Sequence, residues 1–123
     1  MNGTQLRTKR PSATYDRFDI ILVNFPFTEK RGQKQRPAII LSNGSFNRAH
    51  GHSLTTMVTT ASNTKWPSDL PIIDFADAGL RTQCVARMKL FTVADDLIIG
   101  RLGTLSGGDQ GRLTEAIGKM ISA

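Results

Sequence analysis

Cysteine is nearly absent: the 123 residues hold one, Cys84, so no internal disulfide can form. With only His50 and His52 to join it, a cysteine-rich zinc site cannot be assembled, and neither a structural metal nor a cofactor is expected. Long apolar runs are missing too. The first fourteen residues are polar and carry Arg7, Lys9 and Arg10, so residues 1–14 read as a flexible basic tail with neither a secretory signal nor a membrane span. The expected location is cytoplasmic. Internal repeats and low-complexity segments are also lacking. Acidic residues are scarce, with ten Asp and Glu against sixteen Lys and Arg, a net charge of +6 and a pI near 10.1. That balance favours a polyanionic partner, with nucleic acid ahead of acidic proteins. The length suits a single core, and one domain is expected over residues 15–123.

What is present reads mostly as short strands. Residues 18–25 form a nearly continuous apolar run, short enough to be a strand covered on both faces, and Pro26 ends it. Thr28 to Gln35 lacks an apolar anchor and carries Lys30, Arg31 and Lys34 against Glu29, which predicts a basic loop. A second strand follows from about Pro37 to Ser42, stopped by the turn chemistry of Asn43-Gly44, and Ser45 to Ser53 reads as an irregular excursion. Leu54 to Thr60 is a threonine-rich third strand, and Asn63 to Leu70 a loop bearing Lys65 and Trp66. Ile72 to Phe75, Gln83 to Lys89 and Leu97 to Leu102 are further strand candidates, with Thr92 to Asp96 a turn or single helical turn. Short strands at this spacing predict a small barrel or sandwich. The last segment changes period. Leu113, Ala116, Ile117, Met120 and Ile121 form the stripe of an amphipathic helix, started by a cap of Ser106 with Asp109 and expected to lie on the barrel.

Few residues suit chemistry. Pro37 restrains Arg36 to extended backbone at the head of a strand, so a permanent cation with a planar fork is aimed from a rigid base. Such a group can bind a phosphate and stabilise charge growing on it, although a surface arginine at a strand start is the plainer reading. Thr59 and Thr60 point to opposite faces, so only one can join Arg36; threonine-rich strands also suit plain half-buried sheet surface. The pair His50 and His52 has no carboxylate or cysteine nearby to complete a site and reads as loop surface. Cys84 reads as a small apolar strand residue, and Gly107-Gly108 lacks the Lys-Ser or Lys-Thr of a phosphate-binding loop. Lys65 and Trp66 suit steering and stacking of a single-stranded base, or a lid over the core.

Taken in order, Phe18-Asp19-Ile20-Ile21-Leu22-Val23-Asn24-Phe25-Pro26-Phe27, the basic loop, Arg36-Pro37-Ala38-Ile39-Ile40-Leu41-Ser42, Val58-Thr59-Thr60-Ala61 and Cys84-Val85-Ala86-Arg87-Met88-Lys89-Leu90-Phe91-Thr92 resemble the MazF/PemK family of toxin ribonucleases. The resemblance spans about Phe18 to Ile121. It implies a mainly β (α+β) fold, a small SH3-like β-barrel of the CcdB/PemK type with a C-terminal α-helix, and a homodimer. It also implies metal-independent, sequence-specific cleavage of single-stranded RNA, in which the ribose 2′-hydroxyl attacks the adjacent phosphate. A cognate antitoxin would cover the RNA groove, and no membrane is involved.

By the same resemblance the catalytic residues fall on Arg36 and Thr60, with Thr59 the register alternative. Lys30, Arg31, Lys34 and Gln83 become RNA contacts by position, beside Thr59 and Lys65. Some relatives place an Arg and an Asp where the best register here gives Ala86 and Met88, which would send Arg87 to the other face and leave the proton acceptor unassigned. Two other readings share the scaffold: a protein-contact inhibitor of DNA gyrase, and a homologue that binds RNA without cutting it.

Overall fold

The computed structural model of the protein describes residues 14–25, 34–63 and 65–122. Residues 1–13 of the expected tail and two basic loop residues, Lys30 and Arg31, lie outside the described residues. The apolar run becomes β1 (Asp19–Phe25), covered on both faces because successive side chains enter different cores: Ile20 joins one, and Ile21, Val23 and Phe25 the other. It pairs antiparallel with β2 (Lys34–Ile40) on one edge and with β6 (Ile98–Thr104) on the other. With β3 (His52–Thr60), β4 (Leu70–Pro71) and β5 (Cys84–Ala94) the six strands form one sheet in the order β4-β5-β3-β2-β1-β6. All its pairings are antiparallel. This is the expected mainly β architecture, an SH3-like barrel fold with a C-terminal helix, α2 (Gly107–Ile121).

The first core gathers Ile39, Val58, Ile72, Leu80, Cys84 and Ala86 under α2, which contributes Leu113 and packs Ile117 against it. The stripe therefore lies on the core at Leu113 and Ile117, as its period implied, whereas its last members, Met120 and Ile121, stay exposed. Ser106 caps α2 by accepting from the Asp109 N–H at 3.2 Å. No described helix is long and apolar enough to cross a membrane.

Three local expectations are corrected. The excursion after β2 is a helix, α1 (Gly44–His50): Asn43 accepts from the Phe46 N–H at 2.8 Å as its N-cap, and Gly51 closes it in the left-handed region at φ 63°. Asn and Gly serve turns and helix ends through the same backbone geometry, so the pair was ambiguous. The fourth strand is Leu70–Pro71 rather than 72–75, because the Ile73 and Asp74 N–H groups go to the Asp109 carboxylate at 3.0 and 2.9 Å. The fifth runs on through Thr92 to Ala94, and the helical turn is a single 3-10 turn at Asp95–Leu97.

Gly79 sits at φ +82°, and a Cβ there would run into the Leu102 carbonyl group. Gly79→Ala should therefore cost about 2 kcal/mol through backbone strain and displacement of β6. The expected readout is a lower urea midpoint with an unchanged slope.

Candidate functional site

The register of β2 on β3 determines what Arg36 meets. Ala38 pairs with Met57 and Ile40 with Thr55, so carrying the same pairing two residues outward brings Arg36 opposite Thr59. Arg36 pairs with Val23 of β1, which holds its backbone on that side of the strand. On the far side of β3, Met57 pairs with Arg87 and Thr59 with Val85. Paired residues share a face, and Arg36, Met57, Thr59, Asn63, Arg87 and Lys89 line one open cleft of about 400 Å³.

Thr60 is elsewhere. It pairs with Cys84 on the face of the first core, exposed, with its hydroxyl 3.3 Å from that of Ser62. The register alternative, Thr59, is the threonine that stands beside Arg36. Its oxygen accepts a hydrogen bond from the Asn63 amide, which leaves the hydroxyl proton available to another acceptor.

Arg87 also differs from expectation. Cys84, Ala86 and Met88 belong to the first core, so strand alternation sends Arg87 and Lys89 into the cleft. Between Thr56 and Met57 the register shifts: Thr56 pairs with Leu90 and Met57 with Arg87, leaving Met88 and Lys89 as extra residues on β5. The Thr56 hydroxyl donates to the Arg87 carbonyl there. The usable signal was the alternation of Cys84, Ala86 and Met88 with Val85, Arg87 and Lys89, rather than alignment to relatives.

The loop before β4 supplies a partner for Arg87. Its Nε donates to Asp69 Oδ1 at 3.0 Å and its Nη2 to Oδ2 at 2.8 Å, and the two side chains are only 13% and 9% exposed. Asp69 Oδ2 also accepts from the Trp66 N–H at 3.0 Å, and the Trp66 ring lies 5.3 Å from the guanidinium carbon. The hydrogen bond from Arg87 holds the Asp69 carboxyl below its usual range, against the opposing effect of burial, and Asp69 in turn raises Arg87.

Of the other expected residues, Lys65 and Gln83 line a second cleft of about 430 Å³ together with Asp69, Ile73 and Phe75. The Arg87–Asp69 pair thus links two clefts, Arg87 lining the first and Asp69 the second. Lys34 is exposed at the start of β2, opposite Phe25. His50 and His52 are exposed at the junction of α1 and β3, the His52 ring 2.9 Å from the His50 carbonyl, and line neither cleft. Cys84 is buried, its thiol pushed up by burial and set 3.3 Å from the Thr82 carbonyl, as a packing residue would be. Among the described residues no three His, Cys, Asp or Glu side chains gather as a metal site.

Comparison with known proteins accords with this fold. The family model for the PemK-like, MazF-like toxin of type II toxin-antitoxin systems matches residues 16–121. Among solved structures, the MazE-MazF complex of Deinococcus radiodurans (Form-III) aligns at a TM-score of 0.70 and 18% identity, over 89% of this chain and 97% of that one. The Mycobacterium tuberculosis toxin MazF-mt6 aligns at 0.62 and 22% identity, over 82% and 93%. A mycobacterial endoribonuclease bound to its cognate antitoxin aligns at 0.64 and 17% identity, over 86% and 91%. No curated protein sequence is significantly similar. The chain belongs to the PemK-like, MazF-like toxin family of type II toxin-antitoxin systems.

Proposed function

We propose that the protein is a metal-independent endoribonuclease that cuts single-stranded RNA at a short recognition sequence. The observation that carries this reading is the meeting of Arg36, Thr59, Arg87 and Lys89 around one open cleft on β2, β3 and β5. The ribose 2′-oxygen loses its proton to solvent and attacks the adjacent phosphorus, and the bond to the 5′-oxygen breaks as that oxygen takes a proton from solvent, leaving a 2′,3′-cyclic phosphate and a 5′-hydroxyl. Negative charge grows on the phosphoryl oxygens as this happens. Arg36 binds the scissile phosphate and opposes that charge, and the Thr59 hydroxyl donates to a phosphate oxygen beside it. Arg87 adds a second fixed cation, and Lys89 holds the flanking backbone electrostatically.

Lys65 and Gln83 belong to the same reading as RNA contacts in the second cleft, with Lys34, Lys30 and Arg31 as further basic contacts. It carries a homodimer as well, for which Ile99, Leu102, Met120 and Ile121 are exposed apolar surface. A cognate antitoxin completes it, since structural neighbours have been solved with theirs.

Incubating the protein with a long RNA in excess chelator and mapping the cut ends tests activity, metal independence and sequence preference together. Cyclic-phosphate ends at recurrent short sequences are expected. Intact RNA alongside inhibited gyrase supercoiling would replace this reading with the gyrase one.

The threonines offer a finer check. Thr59→Val should slow cleavage about tenfold or more, as loss of one donor to the transition state, while Thr60→Val stays near wild type. The reverse order would show that the Arg36 face has been misassigned.

A further inference from the structure

Asp69 does not line the cleft of Arg36 and Thr59, yet it grips one of the cations that do. Both carboxylate oxygens receive Arg87, and one also receives the Trp66 N–H. The Asp69 N–H donates back to the Trp66 carbonyl at 3.0 Å, so the loop closes on itself before β4 begins. The fork-on-fork contact fixes the plane of the guanidinium as well as its position. An arginine on an irregular stretch of strand otherwise has many rotamers, and the register shift next to Arg87 makes this such a stretch.

The same contact works against simple attraction. A carboxylate bonded to Arg87 cancels part of the positive charge that draws a polyanion into the cleft. A proton-accepting role fits Asp69 poorly, because its oxygens are engaged by three donors and its carboxyl is held below the usual range. What the geometry favours is orientation over affinity, which is useful where the transition state must be bound better than the substrate.

We propose that Asp69 is a positioning residue for the cleft: by holding the Arg87 guanidinium in one plane, it fixes where that cation meets the RNA phosphate, while lowering the cleft's overall attraction for RNA. This rests on the ribonuclease reading and adds to it a carboxylate that acts only through Arg87.

The consequence is a pair of effects of opposite sign. Asp69→Asn is nearly isosteric and keeps an acceptor for the Trp66 N–H but loses the charge. It should bind a single-stranded oligodeoxynucleotide, which lacks the attacking 2′-hydroxyl, several-fold more tightly at low salt. It should also cleave the corresponding RNA with a kcat about ten- to a hundredfold lower. Asp69→Glu, which restores the charge, should recover part of kcat. Added to Arg87→Ala, the Asp69→Asn change should have little further effect on either quantity.

Trp66 is the chain's only tryptophan and sits on the Arg87–Asp69 pair, so its fluorescence reports oligonucleotide binding independently of cleavage. If wild type cuts RNA and Asp69→Asn keeps its kcat, or loses kcat and affinity together in proportion to unfolding, the positioning role is overturned and the ribonuclease reading stands. If wild type cuts no RNA, the ribonuclease reading fails. The titration still decides the hold on Arg87: tighter binding with an altered Trp66 signal in Asp69→Asn supports it, and identical titrations of the two proteins overturn it.

Discussion

Arg36→Ala should reduce cleavage of single-stranded RNA by at least about a hundredfold in kcat, the scale on which loss of one fixed donor to a developing oxyanion is felt. The cause is geometric. Arg36 pairs with Val23, precedes Pro37 and lines the cleft with Thr59, so its charge is delivered from a restrained, extended backbone. A cation placed in advance needs no reorganisation when charge builds on the phosphate. Arg36→Lys should recover only part of the rate, because an ammonium lacks the planar fork that two phosphoryl oxygens can share. The side chain is half-buried at the cleft and outside both cores, so thermal stability should move by no more than about 0.5 kcal/mol in either direction. Full activity in a folded Arg36→Ala protein would remove this residue from the mechanism.

The largest effect on stability is expected far from the cleft. Asp109, in the first turn of α2, is 3% exposed, and its carboxylate accepts from the backbone N–H groups of Ile73 and Asp74, the Ser106 hydroxyl and Arg112. It therefore ties the helix to the segment that follows β4. Asp109→Ala leaves two backbone donors without their acceptor and removes a favourable charge at a helix start, for a cost of about 3–4 kcal/mol. In a domain stabilised by about 5–15 kcal/mol that loss should lower the melting temperature by about 10–20 °C. Acid should have a related effect. Burial pushes the Asp109 carboxyl up, but Arg112 and the Asp74 and Ile73 N–H groups outweigh it and hold the carboxyl below 3.8. A depressed folded value means the contribution is complete above the ordinary carboxylate range and is lost as pH falls through the folded one. Wild type and Asp109→Ala should thus differ most near neutrality and converge in strong acid. A deficit under about 1 kcal/mol at neutral pH would show that the tie does not stabilise the fold.

Much of this molecule was legible in the sequence where one period dominated. The apolar run of β1, the Leu113 and Ile117 half of the α2 stripe and the Ser106 cap all fell where their spacing placed them, while Met120 and Ile121 did not reach the core. Legibility failed where two structures share one chemistry or where register decides. Asn43-Gly44 suits a turn and a helix start equally, and the helix won because Gly51 and the Phe46 N–H complete its two ends. Whether Thr59 or Thr60 meets Arg36 depends on how β2 pairs with β3. The helix between those strands hides that count, because no tight turn fixes it. Arg87 was misplaced for a different reason: alignment to relatives overrode the alternation visible in the strand itself. Asp69 carried no sequence signal as a partner, since its distance from Arg87 along the chain is closed only by the pairing of β4 with β5.

The position of β6 in the sheet has a bearing on how the chain folds. β1 is flanked by β2, its near neighbour in sequence, and by β6, whose pairing joins residues as far apart as Asp19 and Thr104. Closing so long a loop is slow relative to the shorter closures that pair β1 with β2 and β3 with β5. Until residues 98–104 have been made, one edge of β1 carries unpaired N–H and C=O groups beside Ile20 and Ile21, both fully buried in the finished fold. A nascent chain therefore holds a sticky edge for most of its synthesis, and the residues of the cleft come off the ribosome before the strand that completes the sheet beneath them.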